Sequence, residues 1–395
     1  ALAFGFVAGA AAAAPPPVLD RELFFGNPEI SGAQISPDGQ YLAFMRPWKD
    51  TRNIYVKKTG EPFEAARLVT AETKRPIPSF FWSRDSRLLL YVKDNDGDEN
   101  FNVWAVDPAA KPEAGKEVPP SRNLTDAKGA RAFIYDVPKK SPDKIYVGLN
   151  DRDAAWHDVY AVSISTGKRE LVRKNTDRIA GWQFDLEGRL RMAVRTTDNG
   201  DTEILKVGPD GFKTIYSCTV FESCGTDRFH KDGKRVYMQT NKGDVDLARL
   251  VLFDPETGKE ELVESDPMGR VDFGNAIFSE SAEELVGTSY EDDRVRVYFR
   301  DPAWEADYKL LQGKFPGKDI TLGSSTADDR VLLITASSDT DPGERYLFDR
   351  TGKKLTLQYK VRERIPREHM AEMKAVRYPS SDGLEIPAFL TLPKG

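Results

Sequence analysis

A four-residue turn signature recurs seven times along this chain, and it restricts the possible folds more than any other feature. The copies are Ser36-Pro37-Asp38-Gly39, Ser83-Arg84-Asp85-Ser86, Ser141-Pro142-Asp143-Lys144, Asp185-Leu186-Glu187-Gly188, His230-Lys231-Asp232-Gly233, Ser279-Glu280-Ser281-Ala282 and Thr326-Ala327-Asp328-Asp329. Their first residues lie 47, 58, 44, 45, 49 and 47 positions apart, and the long gap holds a Pro-rich insertion at 107–120. Asp and Gly suit tight turns because they tolerate left-handed backbone and form local side-chain hydrogen bonds. Each turn precedes a β-rich run: 41–45, 88–92, 144–147, 190–194, 235–238, 284–288 and 330–335. Third strands follow, as at 53–56, 102–106, 158–162 and 345–348, and then a short fourth. A period near 48 residues with four strands per unit is that of a propeller blade. The expected fold is therefore all-β, a seven-bladed β-propeller of four-stranded blades over residues 18–362.

The ends of the array bear on how the ring closes. The first unit starts with its own innermost strand (30–35), and the seventh ends with its own outermost one (354–359). No strand is left over for a blade shared by both termini. The expectation is a ring closed by packing alone, without strand exchange.

Composition narrows the function. Lys and Arg number 57 against 63 Asp and Glu, a formal charge of −6, so no basic footprint for nucleic acid exists. The three histidines, His157, His230 and His369, are dispersed, which disfavours a zinc site or a metal-dependent site at the ring axis. No cofactor is expected, since neither G-x-x-x-x-G-K-[ST] nor G-x-G-x-x-G occurs.

Residues 1–14 (ALAFGFVAGAAAAA) are uncharged and apolar, end in small residues and precede Pro15-Pro16-Pro17. This stretch is too short for a membrane span and fits the apolar region and cleavage zone of a secretory signal peptide, so 1–17 is taken as its remnant. Export to a bacterial periplasm or the extracellular space follows, where thiols oxidise. Cys218 and Cys224 are then a candidate disulfide, with two reduced thiols as the alternative.

At the other end, 375–378 (AVRY), a turn at 380–383 (SSDG) and 384–392 (LEIPAFLTL) form a hairpin pattern whose apolar strands expect a larger sheet to join. Residues 363–395 are read as a linker and the opening of a further domain.

The SPDG-type turns, Trp82-Ser83-Arg84-Asp85-Ser86 after Phe80-Phe81, the run GDENFNVWAVD at 97–107 and the segment DRDAAWHDVYAVSISTGKRELV at 151–172 together resemble the propeller of the prolyl oligopeptidase family of serine peptidases. The exit, Val376-Arg377-Tyr378 followed by SDGLEIPAFL at 381–390 and Pro393, looks like the strand pair that opens the α/β-hydrolase domain of that family. The resemblance implies an exported serine peptidase acting on short peptides, its propeller filtering substrate and its own C-terminal hydrolase domain as partner. It also implies a catalytic Ser in a G-x-S-x-G elbow, with Asp and His, all beyond Gly395. Within the chain the nearest match, Gly323-Ser324-Ser325-Thr326-Ala327, precedes an acidic turn rather than a helix and is not taken as an elbow. The 395 residues are thus expected to be inactive alone. The competing reading is an envelope propeller resembling the TolB type, a protein-binding module without chemistry.

Two loops stand out as candidate substrate contacts. Asp98, Glu99 and Asn100 lie in the acidic stretch between the second and third strands of unit two. That stretch departs from a calcium loop, with Gly97 fourth and Ala105 twelfth, and is read as a hairpin turn. Arg152, Asp153 and His157 occupy the corresponding loop of unit three, where mixed charges suit peptide termini. Trp82, Trp104, Trp156 and Trp182 are assigned to blade-core packing, and His369 with Glu372 to a linker helix rather than a metal site.

Overall fold

The computed structural model describes residues 17–394, so most of the proposed leader lies outside the described residues. Seven antiparallel sheets follow in chain order. Blade one comprises Ser31–Ile35, Tyr41–Trp48, Thr51–Lys58 and Arg67–Leu68. Blade two comprises Ser79–Trp82, Leu89–Lys93, Asn102–Val106 and Ser121–Asn123, and blade three Ala132–Asp136, Lys144–Asp153, Trp156–Ser163 and Arg169–Arg173. Blade four (Ile179–Phe184, Leu190–Thr196, Thr202–Val207, Phe212–Cys218) and blade five (Cys224–Phe229, Val236–Thr240, Arg249–Phe253, Glu260–Glu264) are also four-stranded. Blade seven is Asp319–Ser325, Val331–Ser338, Asp341–Asp349 and Lys354–Lys360. The fold is the expected seven-bladed propeller.

Blade six departs from the expectation of four strands. It has three, Asn275–Phe278, Leu285–Glu291 and Val295–Phe299, and then the helix Pro302–Lys314. Asp301 caps that helix, its carboxylate accepting hydrogen bonds from the N–H groups of Ala303 (2.9 Å) and Trp304 (3.0 Å), and Pro302 occupies the first turn, where a missing N–H costs nothing. Trp304, Tyr308 and Leu311, spaced i, i+4, i+7, bury one face against Val286, Ile320 and Leu332. The helix thus fills the space between blades six and seven with larger side chains than a short edge strand would bring.

The marker turns show why the signature repeats. The Ser36 hydroxyl donates to Asp38 and accepts from the N–H of Tyr41, while the Asp38 carboxylate accepts from the N–H of Gln40. Ser83 with Asp85 and Leu88, and Thr326 with Asp328 and Val331, repeat the arrangement. Ser36, Ser83 and Thr326 are buried, so each polar atom needs a partner and the turn supplies it. In blade four Asp185 takes the serine's place, accepting from the N–H groups of Glu187 and Arg189.

First strands of neighbouring blades approach one another where blade one meets two and seven, and where blade four meets three and five. The facing sides of neighbouring blades pack into separate clusters, such as Leu90, Leu124, Ile145 and Leu149 between blades two and three. Of the four tryptophans assigned to cores, Trp82 and Trp182 are buried there, while Trp104 and Trp156 are only half-buried.

Among the described residues no strand is shared between the first and last blades. The seam is held by Ile35, Leu42, Leu333 and Leu347, by Phe63 edge-on to Tyr359 at 5.8 Å, by Lys57 Nζ donating to Gln358 Oε1 (3.3 Å), and by two hydrogen bonds from backbone N–H groups. In these, the Ile35 N–H donates to Ser324 Oγ (3.0 Å) and the Ala327 N–H to the Pro37 carbonyl (2.8 Å).

Because each blade runs up and down, its second-to-third loop and its link to the next blade lie on one face, and the marker turns on the other. The chain leaves blade seven on the first of these faces, passes the short 3₁₀ turn Arg367–His369, and forms the hairpin Met373–Pro379 with Glu385–Thr391. Glu372 lies past that turn, so no linker helix carries His369 and Glu372 together. No helix among the described residues is long and apolar enough to cross a membrane.

Candidate functional site

Both candidate loops and the hairpin occupy the same face of the ring. The hairpin is tied down by Arg377, which reaches Asp292 (3.2 Å) and Asp293 (2.9 Å) in the second-to-third loop of blade six. Asp292 is nearly inaccessible and also pairs with Arg270 and Arg296, both at 3.1 Å, so three guanidiniums converge on two adjacent carboxylates. Arg296 forks onto Asp266 (2.7 and 2.8 Å), and this bond holds the Asp266 carboxyl well below the usual range. In blade seven, the Met373 N–H donates to Asp339. The segment after the ring is therefore fixed to the second-to-third loops of blades six and seven.

In blade two the loop between Leu89–Lys93 and Asn102–Val106 is the expected hairpin turn. Asp96, Gly97 and Glu99 have positive φ (55°, 96° and 58°), which lets the chain reverse direction within the loop. The Asp98 carboxylate accepts from the N–H groups of Asn95 (3.1 Å) and Asn100 (3.0 Å), and these bonds lower its pKa. Asp98 and Asn100 thus shape the loop, while the Glu99 side chain is exposed. Beside the loop is an open cleft of about 570 Å³, lined by Lys74, Arg75, Lys93, Asp94, Trp104 and Asp126 among others. Its charges are mostly matched: Lys74 pairs with Asp96 (2.7 Å), Arg75 with Asp94 (3.7 Å), and Lys93 with Glu72 (2.7 Å) while lying 4.4 Å over the Trp104 ring.

In blade three the strands run further than expected. Arg152 and Asp153 end one strand and His157 is the second residue of the next, leaving Ala154-Ala155 as the turn. Arg152 forks onto Asp158 (2.6 and 2.7 Å) and donates to the Asn175 carbonyl (2.9 Å). Burial raises the Asp158 pKa, but the Arg152 and Asn175 bonds outweigh it and the carboxyl stays below the usual range. Arg152 is therefore committed to the blade, with Nη1 loosely facing Asp153 at 3.9 Å. His157 packs on Phe133 with ring centroids 4.7 Å apart, and its buried Nε2 has no partner. Burial, and secondarily the charge of Arg131, lowers its pKa and keeps it neutral near pH 7.

The two loops meet at the seam of blades two and three, where the Ala132 N–H donates to the Phe101 carbonyl (2.7 Å) and the Arg131 N–H to Asn150 (2.6 Å). Sequence reasoning missed Arg131 and Phe133, which stand at the start of the inner strand; no repeat or motif marks them. It also missed Arg377 and its aspartates, although the Asp292-Asp293 doublet in a second-to-third loop was a visible signal. Gly323–Ala327 lies on the inner strand of blade seven and in its turn, away from any helix. Cys218 and Cys224 are joined as a disulfide across the link between blades four and five, with Cα atoms 6.1 Å apart.

On the opposite face, an axial cavity of about 520 Å³ is lined by first-strand and marker-turn residues. Lys139 and Arg84 reach Glu280 there (2.6 and 3.6 Å), so ion pairs link blades two and three to blade six across the axis.

No protein-family model matches the chain. Over its whole length it is 32% identical to dipeptidyl aminopeptidase BIII of Pseudoxanthomonas mexicana, covering 57% of that protein. It is 24% identical to dipeptidyl peptidase family member 6 of Caenorhabditis elegans, with 95% of the chain and 52% of the relative aligned. The chain thus spans a little over half the length of these relatives. Among solved structures, prolyl oligopeptidase B of Galerina marginata superposes with a TM-score of 0.62 at 13% identity, covering 92% of this chain and 55% of that one. A puromycin hydrolase gives 0.61 at 14%, covering 96% and 62%. At these identities the structures speak for the fold alone. With this fold and this relative, the chain is a homologue of the prolyl oligopeptidase family that covers the propeller portion of its peptidases.

Proposed function

We propose that this chain is the substrate-filtering propeller of an exported serine peptidase that hydrolyses short peptides. The observation that carries the reading is the placement of the terminal hairpin. It sits on the face that holds the loops of blades two and three, so a hydrolase domain continuing from it would cover those loops and enclose a peptide between itself and the ring. The 32% identity to a dipeptidyl aminopeptidase supports peptide substrates, and release of dipeptides from the amino end is the specific activity proposed. Glu99, with its exposed carboxylate, is the residue of the two loops best suited to a peptide amino terminus, and Asp153 the next. Export is supported by the apolar leader and by Cys218–Cys224, a pairing that persists in oxidising compartments.

The test is to produce the protein from its whole reading frame and assay dipeptidyl arylamides with and without a serine-directed inhibitor. Inhibitor-sensitive release of the arylamine is expected. Absence of hydrolysis, or activity insensitive to the inhibitor, overturns the reading.

A further inference from the structure

Among the described residues, Arg131 is a cation with no ion-pair partner. Its guanidinium carbon lies 4.8 Å from the centroid of Phe133 and 5.7 Å from that of Phe101, and its buried Nε has no hydrogen-bond partner. The guanidinium forms no ion pair or hydrogen bond among the described residues, whereas Arg152, the arginine of the adjacent hairpin, is fully engaged with Asp158. The side chain next to it that could add charge, His157, is kept neutral by burial and by Arg131 itself.

Position turns this into more than a surface arginine. The Arg131 backbone is pinned by Asn150, and the flanking residues begin the inner strand of blade three at the axial rim of the hairpin-bearing face. Phe133 is partly exposed beside it. Both rings lie within cation–π range of the guanidinium, which narrows its rotamers before any ligand arrives. A fixed planar fork that is partly desolvated and unpaired matches a carboxylate, which accepts two parallel hydrogen bonds, better than it matches a neutral carbonyl.

We propose that Arg131, seated between Phe101 and Phe133, is a specificity-determining residue that receives a carboxylate of the bound peptide. The inference deepens the peptidase reading and rests on it. The carboxylate has two sources, the C-terminus of a very short peptide or an acidic side chain. Glu99 and Asp153 lie in the neighbouring loops and disfavour anions further out on the same face, so recognition is confined to the rim.

Calorimetric titration of this chain with three probes tests it: tetra-alanine, tetra-alanine amide, and an amide with one alanine replaced by Glu. The free acid is expected to bind about fivefold more tightly than the amide, the strength of one partly exposed charge-assisted pair. If the source is a side chain, the Glu-containing amide shows the gain instead. Arg131→Gln removes the difference, and Arg131→Lys retains part of it. Equal binding of all three probes, or a difference that survives in Arg131→Gln, overturns the carboxylate site while leaving peptide binding by this face intact. Binding of none of them overturns the carboxylate site, while the peptidase reading stands or falls by the arylamide assay of the protein from its whole reading frame.

Discussion

At the scale of residues, the fold is held by polar atoms that are buried with their partners. Beyond the marker turns, Asn53 accepts from Thr70 Oγ1 (2.9 Å) and the Glu72 N–H (2.7 Å), and Asn102 accepts from Thr125 Oγ1 (2.8 Å) and the Ala127 N–H (3.0 Å). Each ties a third strand to the link that leaves its blade. Asp136, on the inner strand of blade three, is one of the exceptions, with Arg131 and His157 in the same blade. Burial pushes its pKa up to about 6, against the opposing effects of the Val137 N–H and Arg84, and one carboxyl oxygen has no partner. The folded state therefore binds this proton more tightly than the unfolded chain does. The group's contribution is fully present below pH 4 and is lost as pH rises towards 6. Asp136→Asn should raise stability at pH 7 by about 1 kcal/mol, allowing for partial solvent screening, and leave it unchanged at pH 3.5. Thermal unfolding at the two pH values checks this; a variant less stable at pH 7 contradicts it. The marker serines and aspartates were legible because the same chemistry recurs in register. Arg131 was not, because an unpaired cation is defined by what surrounds it in space.

At the scale of elements, the period and apolar alternation located the second strand of every unit and the third strands of blades one, two, three and seven, but not the extension of the blade-three pair to Asp153 and Trp156. The helix of blade six was missed because a count based on repetition hides a substitution. Its own signals were local and present: Asp301-Pro302 at the start and Trp304, Tyr308 and Leu311 along one face. The hairpin was readable as two strands and a turn, but its docking was not, because the Arg377–Asp292 contact spans 85 residues of sequence. Arg377→Ala should raise hydrogen exchange in 373–391 about fivefold, as expected for loss of about 1 kcal/mol, with the unfolding temperature of the blades almost unchanged. Mass-resolved exchange measures it, and 1 M salt should weaken the same contact in the unsubstituted chain. Unchanged exchange in the hairpin would show that the ion cluster does not hold it.

At the scale of the molecule, the ring closes without a shared strand. Closure rests on the apolar contacts and few hydrogen bonds between blades one and seven, while ion pairs span the axis on the far face. With no shared strand, blades one and seven can part without breaking a backbone ladder. Closure was legible from the terminal strands alone, because each end unit already had its own inner and outer strands. Which face serves a partner was not, since face depends on strand direction and on where the exit segment packs. The proposed division of labour between ring and hydrolase is tested most directly by labelling the protein from the whole reading frame with a fluorophosphonate and locating the modified residue by mass spectrometry. One labelled serine is expected beyond Gly395 and none within the ring, Ser324 and Ser325 included; a labelled serine among residues 1–395, or none at all, would contradict the proposed function.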